Sequence, residues 1–122
     1  MKYEFDNERP IYSQMADLIT KEIVSGKLKP GQKIPSVREY ALLMKANPNT
    51  VCKALDLLEN AKLIYTERTN GKFVTNDLEL INSKKKEILS TQIDSFMDDI
   101  NKMGISKEEI LKMLMEKLKW VY

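Results

Sequence analysis

The sequence predicts a mainly α-helical fold with one small β-hairpin, on the strength of three observations. Over most of the chain, apolar residues recur at spacings of three and four, which is the period of a helix. Several of these segments begin with residues that cap helices. One short region near the middle instead alternates apolar and polar residues around an Asn-Gly pair, which is typical of a β-hairpin.

The composition excludes most catalytic classes. The chain has 122 residues, which is room for one small domain and an appendage. It has no histidine and one cysteine, which excludes Ser-His-Asp and Cys-His catalysis, His-ligated zinc and a disulfide framework. It lacks both a secretory signal and the run of about 18 apolar residues that a membrane span needs. We expect a cytoplasmic binding or regulatory protein, not an enzyme, with no cofactor, no metal and no membrane partner.

Two helices are predicted in the first 45 residues. The first follows Pro10 and runs to about Val24, with its apolar residues on one face and Gly26 where such a helix should stop. Ser36 and Glu39 then form a capping box, which opens a second, short helix. A Pro-Gly pair and a further proline lie between the two segments and indicate a connecting loop.

A third helix is predicted after a break of about three residues. Asn47 can accept hydrogen bonds from backbone N–H groups at its start, and Pro48 suits its first position. The apolar pattern continues to about Ala61. Two helices joined by so short a turn, after a longer first helix, form a helix-turn-helix arrangement.

A β-hairpin is predicted directly after these helices. Residues 63–68 and 72–75 are rich in β-branched and aromatic residues, and they flank Thr69, Asn70 and Gly71. An Asn-Gly pair favours a tight turn in which both residues have positive φ. Three helices followed by a hairpin form a winged helix-turn-helix, and we assign this domain to residues 1–75.

Residues 76–122 predict a C-terminal helical hairpin. A long helix opens at Asn76, with Glu79 completing a capping box, and a second helix opens at Ser106 after Gly104. Their apolar residues form two seams, Leu89, Ile93, Phe96, Ile100 and Met103 in one helix and Ile110, Leu114, Leu118 and Val121 in the other. A two-helix hairpin cannot bury both seams alone. We therefore predict a dimerisation tail that packs on a second chain, with packing on the first domain as the alternative.

The charge distribution gives weak support for a polyanionic partner. Residues 1–75 carry 12 Lys and Arg against 9 Asp and Glu, whereas residues 76–122 carry 8 against 9. The third helix is the candidate contact, because Asn49, Thr50 and Lys53 are polar and lie near its N-terminal end, whose free N–H groups suit a phosphate. On the residues alone, a helix cap and a solvated lysine explain the same positions.

Four sequence blocks resemble the DNA-binding domain of GntR-family bacterial transcription regulators. They are PIYSQ at residues 10–14, GKLKPGQKIPSVRE at 26–39, NPNTV at 47–51 and GKFV at 71–74, in the family's order and spacing. The short helical tail is similar to the YtrA subfamily, since other subfamilies carry a large ligand-binding or aminotransferase-like domain. The chain departs from the family at Lys45, Lys62 and Thr69, where glycine is usual.

The resemblance implies a homodimeric repressor that binds a pseudo-palindromic operator in double-stranded DNA, often that of a transporter operon. Arg38 lies in the first turn of its helix, where the dipole disfavours a cation unless it meets an anion, and in the resembling family this arginine contacts DNA. The residues assigned to DNA contact are Ser36, Arg38, Asn47, Pro48, Asn49, Thr50, Lys53, Arg68, Asn70, Gly71 and Lys72. A winged-helix adaptor that binds protein is the alternative function. The sequence names no operator, regulated gene or effector.

Overall fold

A computed structural model describes residues 3–121. Its first part contains three helices, α1 (Ile11–Val24), α2 (Val37–Met44) and α3 (Pro48–Asn60). Each begins and ends within about two residues of the predicted bounds, because capping residues and the apolar period fix helix ends locally. The predicted winged helix-turn-helix with a helical C-terminal region is confirmed.

Helix α3 is positioned by a core to which every element of the winged domain contributes. It packs on α1, on α2 and on the first strand of the hairpin. The largest fully buried side chains are Met15, Ile19, Ile23, Tyr40, Val51, Leu55, Leu63, Ile64 and Val74. Because Val51 and Leu55 point into this core, the opposite face of α3 is turned to solvent.

The hairpin consists of β1 (Ile64–Glu67) and β2 (Gly71–Val74), which pair antiparallel. The prediction that both Asn70 and Gly71 have positive φ is wrong for Asn70. Glu67 pairs with Gly71, so three residues connect the strands, and positive φ occurs at Thr69 (72°) and Gly71 (109°) but not at Asn70.

Three residues other than glycine have positive φ among the described residues, Lys45 (52°), Lys62 (63°) and Thr69 (72°). Lys45 is the C-cap of α2, and Lys62 follows the end of α3. All three stand where the resembling family usually has glycine. Each of the three residues adopts a left-handed conformation that costs a residue with a side chain about 1–2 kcal/mol.

The C-terminal part contains α4 (Leu78–Lys102) and α5 (Lys107–Val121). The predicted cap at Asn76 is wrong, because Oδ1 of Asp77 accepts the N–H of Leu80 at 3.1 Å instead. Asp77 directly precedes the first helical residue, whereas the Asn76 side chain lies against Gly31. Within residues 3–121, no helix is long and apolar enough to cross a membrane.

The chain divides into two compact units inside α4, between Lys85 and Lys86. The first unit extends beyond the predicted domain boundary at residue 75. Leu80 and Ile81 explain this difference, because they pack on the core of the winged domain. The first two turns of α4 therefore belong to the N-terminal unit.

In the second unit, α5 has no buried residue, and Trp120 is 91% exposed. A cavity of about 260 Å³ lies between α4 and α5 and is lined by Phe96, Ile100, Ile105, Glu109, Ile110, Met113, Leu114 and Lys117. Ile100 is buried, but the rest of both predicted seams is exposed or half-buried. The hairpin thus leaves most of its apolar surface uncovered in a single chain.

Candidate nucleic-acid interface

The N-terminal end of α3 is capped from within the chain. Oδ1 of Asn47 accepts the N–H of Asn49 at 2.8 Å, and the Asn47 carbonyl accepts the N–H of Thr50 at 3.0 Å. Pro48 has no N–H to offer. The expectation of free N–H groups for a phosphate is therefore wrong, and Asn47 is the helix cap. Any contact with DNA from this end must come from side chains.

The solvent face of α3 carries the polar side chains that the sequence singled out. Asn49 and Lys53 are exposed, one turn apart, and Thr50 is half-buried. Cys52, in the same turns of α3, is also exposed. The face is free of apolar side chains at this end, so it can approach the edges of bases in a groove.

Lys53 contacts an aromatic ring from another helix. Its Nζ lies 5.9 Å from the centroid of the Tyr12 ring at the start of α1. A cation over a ring face at this distance is attracted by about 0.5–1 kcal/mol at an exposed site. Nothing in the sequence around Tyr12 indicates this contact, because the two residues lie 41 positions apart. Tyr12 therefore biases the direction of the Lys53 side chain.

The first turn of α2 combines a complete capping box with an exposed cation, Arg38. Oγ of Ser36 accepts the N–H of Glu39, and Oε1 of Glu39 accepts the N–H of Ser36, both at 3.1 Å. The hydrogen bond from the Ser36 backbone is the main reason why the pKa of Glu39 lies below its ordinary value. The Ser36 hydroxyl keeps its proton, which it can donate to a phosphate.

Arg38 is exposed and takes part in none of the ion pairs found among residues 3–121. Arg38 therefore forms no ion pair with Glu39, the neighbouring carboxylate. Arg38 and Pro48 line one shallow recess of about 580 Å³ between α2 and α3, together with Val37, Ala41, Leu42 and Ala46. The recess brings the starts of the two helices to the same side of the domain.

Lys72 of the wing is bound to α3. Its Nζ lies 3.0 Å from Oε1 of Glu59 and 2.8 Å from Oγ1 of Thr66. The Thr66 hydroxyl also donates to Glu59. These hydrogen bonds, first from Thr66 and then from Lys72, hold the pKa of the Glu59 carboxyl below its ordinary value. Glu59 was missed in the sequence, since nothing in a separation of 13 residues indicates the pair.

The tip of the wing holds the remaining predicted residues. Arg68, Asn70 and Gly71 are exposed, and Nδ2 of Asn70 lies 3.4 Å from Oε2 of Glu67. Arg68 is in none of the ion pairs found among the described residues. The structure thus presents three groups of predicted residues, at the start of α2, on α3 and at the wing tip.

A helix with an exposed polar face, a preceding short helix and a β-hairpin wing define a winged helix-turn-helix protein. The gntR family of bacterial regulatory proteins matches residues 11–74, and the chain belongs to this family.

Two relatives are similar along most of the chain. The uncharacterized HTH-type transcriptional regulator YhcF of Bacillus subtilis is 34% identical over 112 residues, which cover 92% of this chain and 93% of YhcF. The HTH-type transcriptional repressor YtrA of Bacillus subtilis is 32% identical over 108 residues, which cover 88% of this chain and 83% of YtrA. The resemblance to the YtrA subfamily is confirmed.

Two solved structures are similar to the chain. A GntR family transcriptional regulator from Listeria monocytogenes is 37% identical with a TM-score of 0.84, over 92% of this chain and 98% of that one. The DNA-binding domain of AraR in complex with operator ORX1 is 29% identical with a TM-score of 0.56, over 62% of this chain and 99% of that one. The chain is thus a member of a family of transcriptional regulators.

Proposed function

We propose that the chain is a sequence-specific DNA-binding repressor that acts in the cytoplasm as a homodimer on a pseudo-palindromic operator. One observation carries the proposal: the domain that exposes the polar face of α3 also exposes Arg38 on α2 and Arg68 on the wing, two cations in none of the ion pairs found among residues 3–121. The operator complex of the AraR domain and the repressor YtrA support it. The family resemblance points to a transporter operon as the target.

Helix α3 supplies the base contacts in this proposal. Asn49 can form two hydrogen bonds with an adenine edge, and Lys53 can donate to the acceptors of a guanine. Ser36 and Arg38 bind phosphates beside the same groove, which fixes the register of α3 without reading sequence. The capped start of α3, with Asn47, Pro48 and Thr50, lies closest to the groove floor.

The wing adds contacts on the flank of the site. Arg68 and Asn70 extend from its tip, and Gly71 has no side chain to hold the backbone away from DNA. Such a tip can lie along a phosphate backbone or in a minor groove. These contacts add affinity more than base preference, and that affinity falls with increasing salt.

The tail supplies the dimer interface in this proposal. Leaving its apolar seams in water costs about 25 cal/mol for each Å² of apolar area, and a second copy offers the same surface about a two-fold axis. The same axis presents two copies of α3 to half-sites about 34 Å apart. Dimerisation then raises operator affinity through effective concentration.

Selection of duplexes from a random library, followed by titration of the selected sequence, tests the function. We expect Asn49→Ala and Lys53→Ala each to weaken specific binding by about 1–3 kcal/mol, as for loss of a good base contact. Lys21→Ala, an exposed lysine at the end of α1, is the control that leaves affinity unchanged. If no duplex is selected, or if both α3 variants bind like wild type with unchanged circular dichroism, the adaptor function replaces this one.

A further inference from the structure

A segment outside the hairpin pairs with β2 of the wing through an isolated β-bridge. Lys33 forms an antiparallel bridge with Phe73 of β2. The N–H of Ile34 donates to the Lys72 carbonyl, and the N–H of Val74 donates to the Gln32 carbonyl, both at 2.9 Å. Because these bonds fix the segment along β2, Lys33 is a residue of the wing and not of the preceding turn.

The Lys33 side chain runs toward the wing tip. Residues opposite each other in antiparallel strands share a face, and the diagonal neighbour of Lys33 two positions before Phe73 is Gly71. A Cβ atom at Gly71 would lie 3.0 Å from Cε of Lys33 and 3.7 Å from its Nζ. The side chain therefore crosses β2 where Gly71 leaves room, and its ammonium lies beside the first residue after the tip.

The two wing lysines differ in their partners. Lys72 is bound by the Glu59 carboxylate and the Thr66 hydroxyl. Lys33 is exposed, and it takes part in none of the ion pairs found within residues 3–121. Its charge contributes slightly, after the hydrogen bonds from Ser36, to lowering the pKa of Glu39, so it also lies within electrostatic reach of the first turn of α2.

We propose that Lys33 is the phosphate-binding lysine of the wing, and that Lys72 instead fixes the wing on α3. This inference rests on the proposed function. A phosphate has to compete with the Glu59 carboxylate for the Lys72 ammonium, whereas the Lys33 ammonium is available at once. Because the Lys33 ammonium lies near both the wing tip and the first turn of α2, it can bind a phosphate between those bound by Arg38 and Arg68.

The salt dependence of binding to a selected duplex tests the inference. Replacing one phosphate-bound lysine lowers the slope of log K against log salt concentration by about 0.9. We expect this loss for Lys33→Gln, with equal weakening on selected and unrelated duplexes, and no loss for Lys33→Arg. Lys72→Gln should lower the slope less than half as much. Lys29→Gln is the matched control and keeps the wild-type slope, because Lys29 precedes Gly31, which pairs with Val74 at the other end of β2.

The outcomes separate the two proposals. If wild type binds duplex DNA and Lys33→Gln keeps the wild-type slope, the assignment of Lys33 is overturned and the proposed function stands. A slope that falls as much in Lys72→Gln as in Lys33→Gln overturns the division between the two lysines. If wild type binds no duplex, both proposals fail. If Lys33→Arg lowers the slope as Lys33→Gln does, the charge-based role of Lys33 is overturned. Circular dichroism checks that each variant is folded.

Discussion

The ammonium of Lys72 lies 3.0 Å from the carboxylate of Glu59 and thereby joins the wing to the last turn of α3. Thr66 of the facing strand hydrogen-bonds to both groups. The orientation of the wing relative to α3 therefore depends on polar contacts as well as on the core. This pair holds the wing against the C-terminal end of α3.

The first prediction concerns the pH dependence of this pair. The pKa of Glu59 is lowered from 4.5 by Thr66 and Lys72, so the ionised carboxylate stabilises the fold above about pH 4.5, and this contribution is lost as pH falls through the lowered pKa. We expect Glu59→Gln to reduce the free energy of unfolding at pH 7 by at most about 1 kcal/mol, since the pair is partly exposed. The difference from wild type should vanish at acid pH.

Chemical denaturation at several pH values measures this difference, and a double-mutant cycle with Lys72→Gln is its control. The two substitutions remove one shared interaction, so their effects should be less than additive. Strictly additive losses, or a loss that persists well below pH 4, would contradict the pair's role.

The second prediction concerns Thr69, a β-branched residue with φ of 72°. A left-handed conformation costs such a residue about 1–2 kcal/mol, which exceeds what glycine loses through a more flexible unfolded chain. We expect Thr69→Gly to raise the free energy of unfolding by up to about 1 kcal/mol. Asn70→Gly, at the next residue with ordinary φ, should lower it by about 0.5 kcal/mol. The urea concentrations at the midpoints of unfolding measure both changes. If both variants shift the free energy of unfolding in the same direction, relief of strain at Thr69 is ruled out.

The third prediction concerns Tyr40, which is 2% exposed. Among the described residues, its hydroxyl has no hydrogen-bond partner, and burial raises its pKa. A buried hydroxyl without a partner costs about 1–3 kcal/mol, so Tyr40→Phe should leave the thermal midpoint unchanged or raise it. Tyr65→Phe, on a half-buried strand residue, is the control with little effect. A midpoint several degrees lower in Tyr40→Phe would show that the hydroxyl has a partner.

The fourth prediction concerns Arg38. Because it is exposed and contributes no ion pair among residues 3–121, Arg38→Ala should weaken DNA binding by about 1.5–3 kcal/mol without lowering the thermal midpoint. Arg38→Lys, which keeps the charge but not the planar donors, should recover part of the affinity. A fall in stability with unchanged binding per folded molecule would make the residue structural.

The fifth prediction concerns the tail. Phe96 and Leu114 are 42% and 39% exposed and line the cavity between α4 and α5. A charge at either position in a dimer interface would be buried without a partner, so Phe96→Asp and Leu114→Asp should give monomers with much weaker operator binding. Ser95→Asp, exposed on the same helix, should remain dimeric. Sedimentation at micromolar concentration measures the oligomeric state of each protein. A wild type that is monomeric there would contradict the role of the tail in dimerisation.

The sequence by itself determined the features that depend on neighbouring residues. The capping box of Ser36 and Glu39 and the start of α3 at Pro48 follow from side chains that bond backbone groups within three positions. The helical period then predicted which faces of α1 and α3 are apolar and turn toward the core, because a helix face repeats every three or four residues. The order of the helices and strands, together with the four sequence blocks shared with the family, was enough to predict the winged helix-turn-helix fold.

The tertiary structure decided which polar groups remain available to a partner. It pairs Lys72 with Glu59 and directs Lys53 over Tyr12. It also brings Ile81 into the core beyond the predicted boundary at residue 75. These contacts join side chains from different elements, and no periodicity or spacing specifies how far apart two elements lie once they are packed. Only the packed core fixes those distances, and with them which charged side chains of the described residues pair with one another.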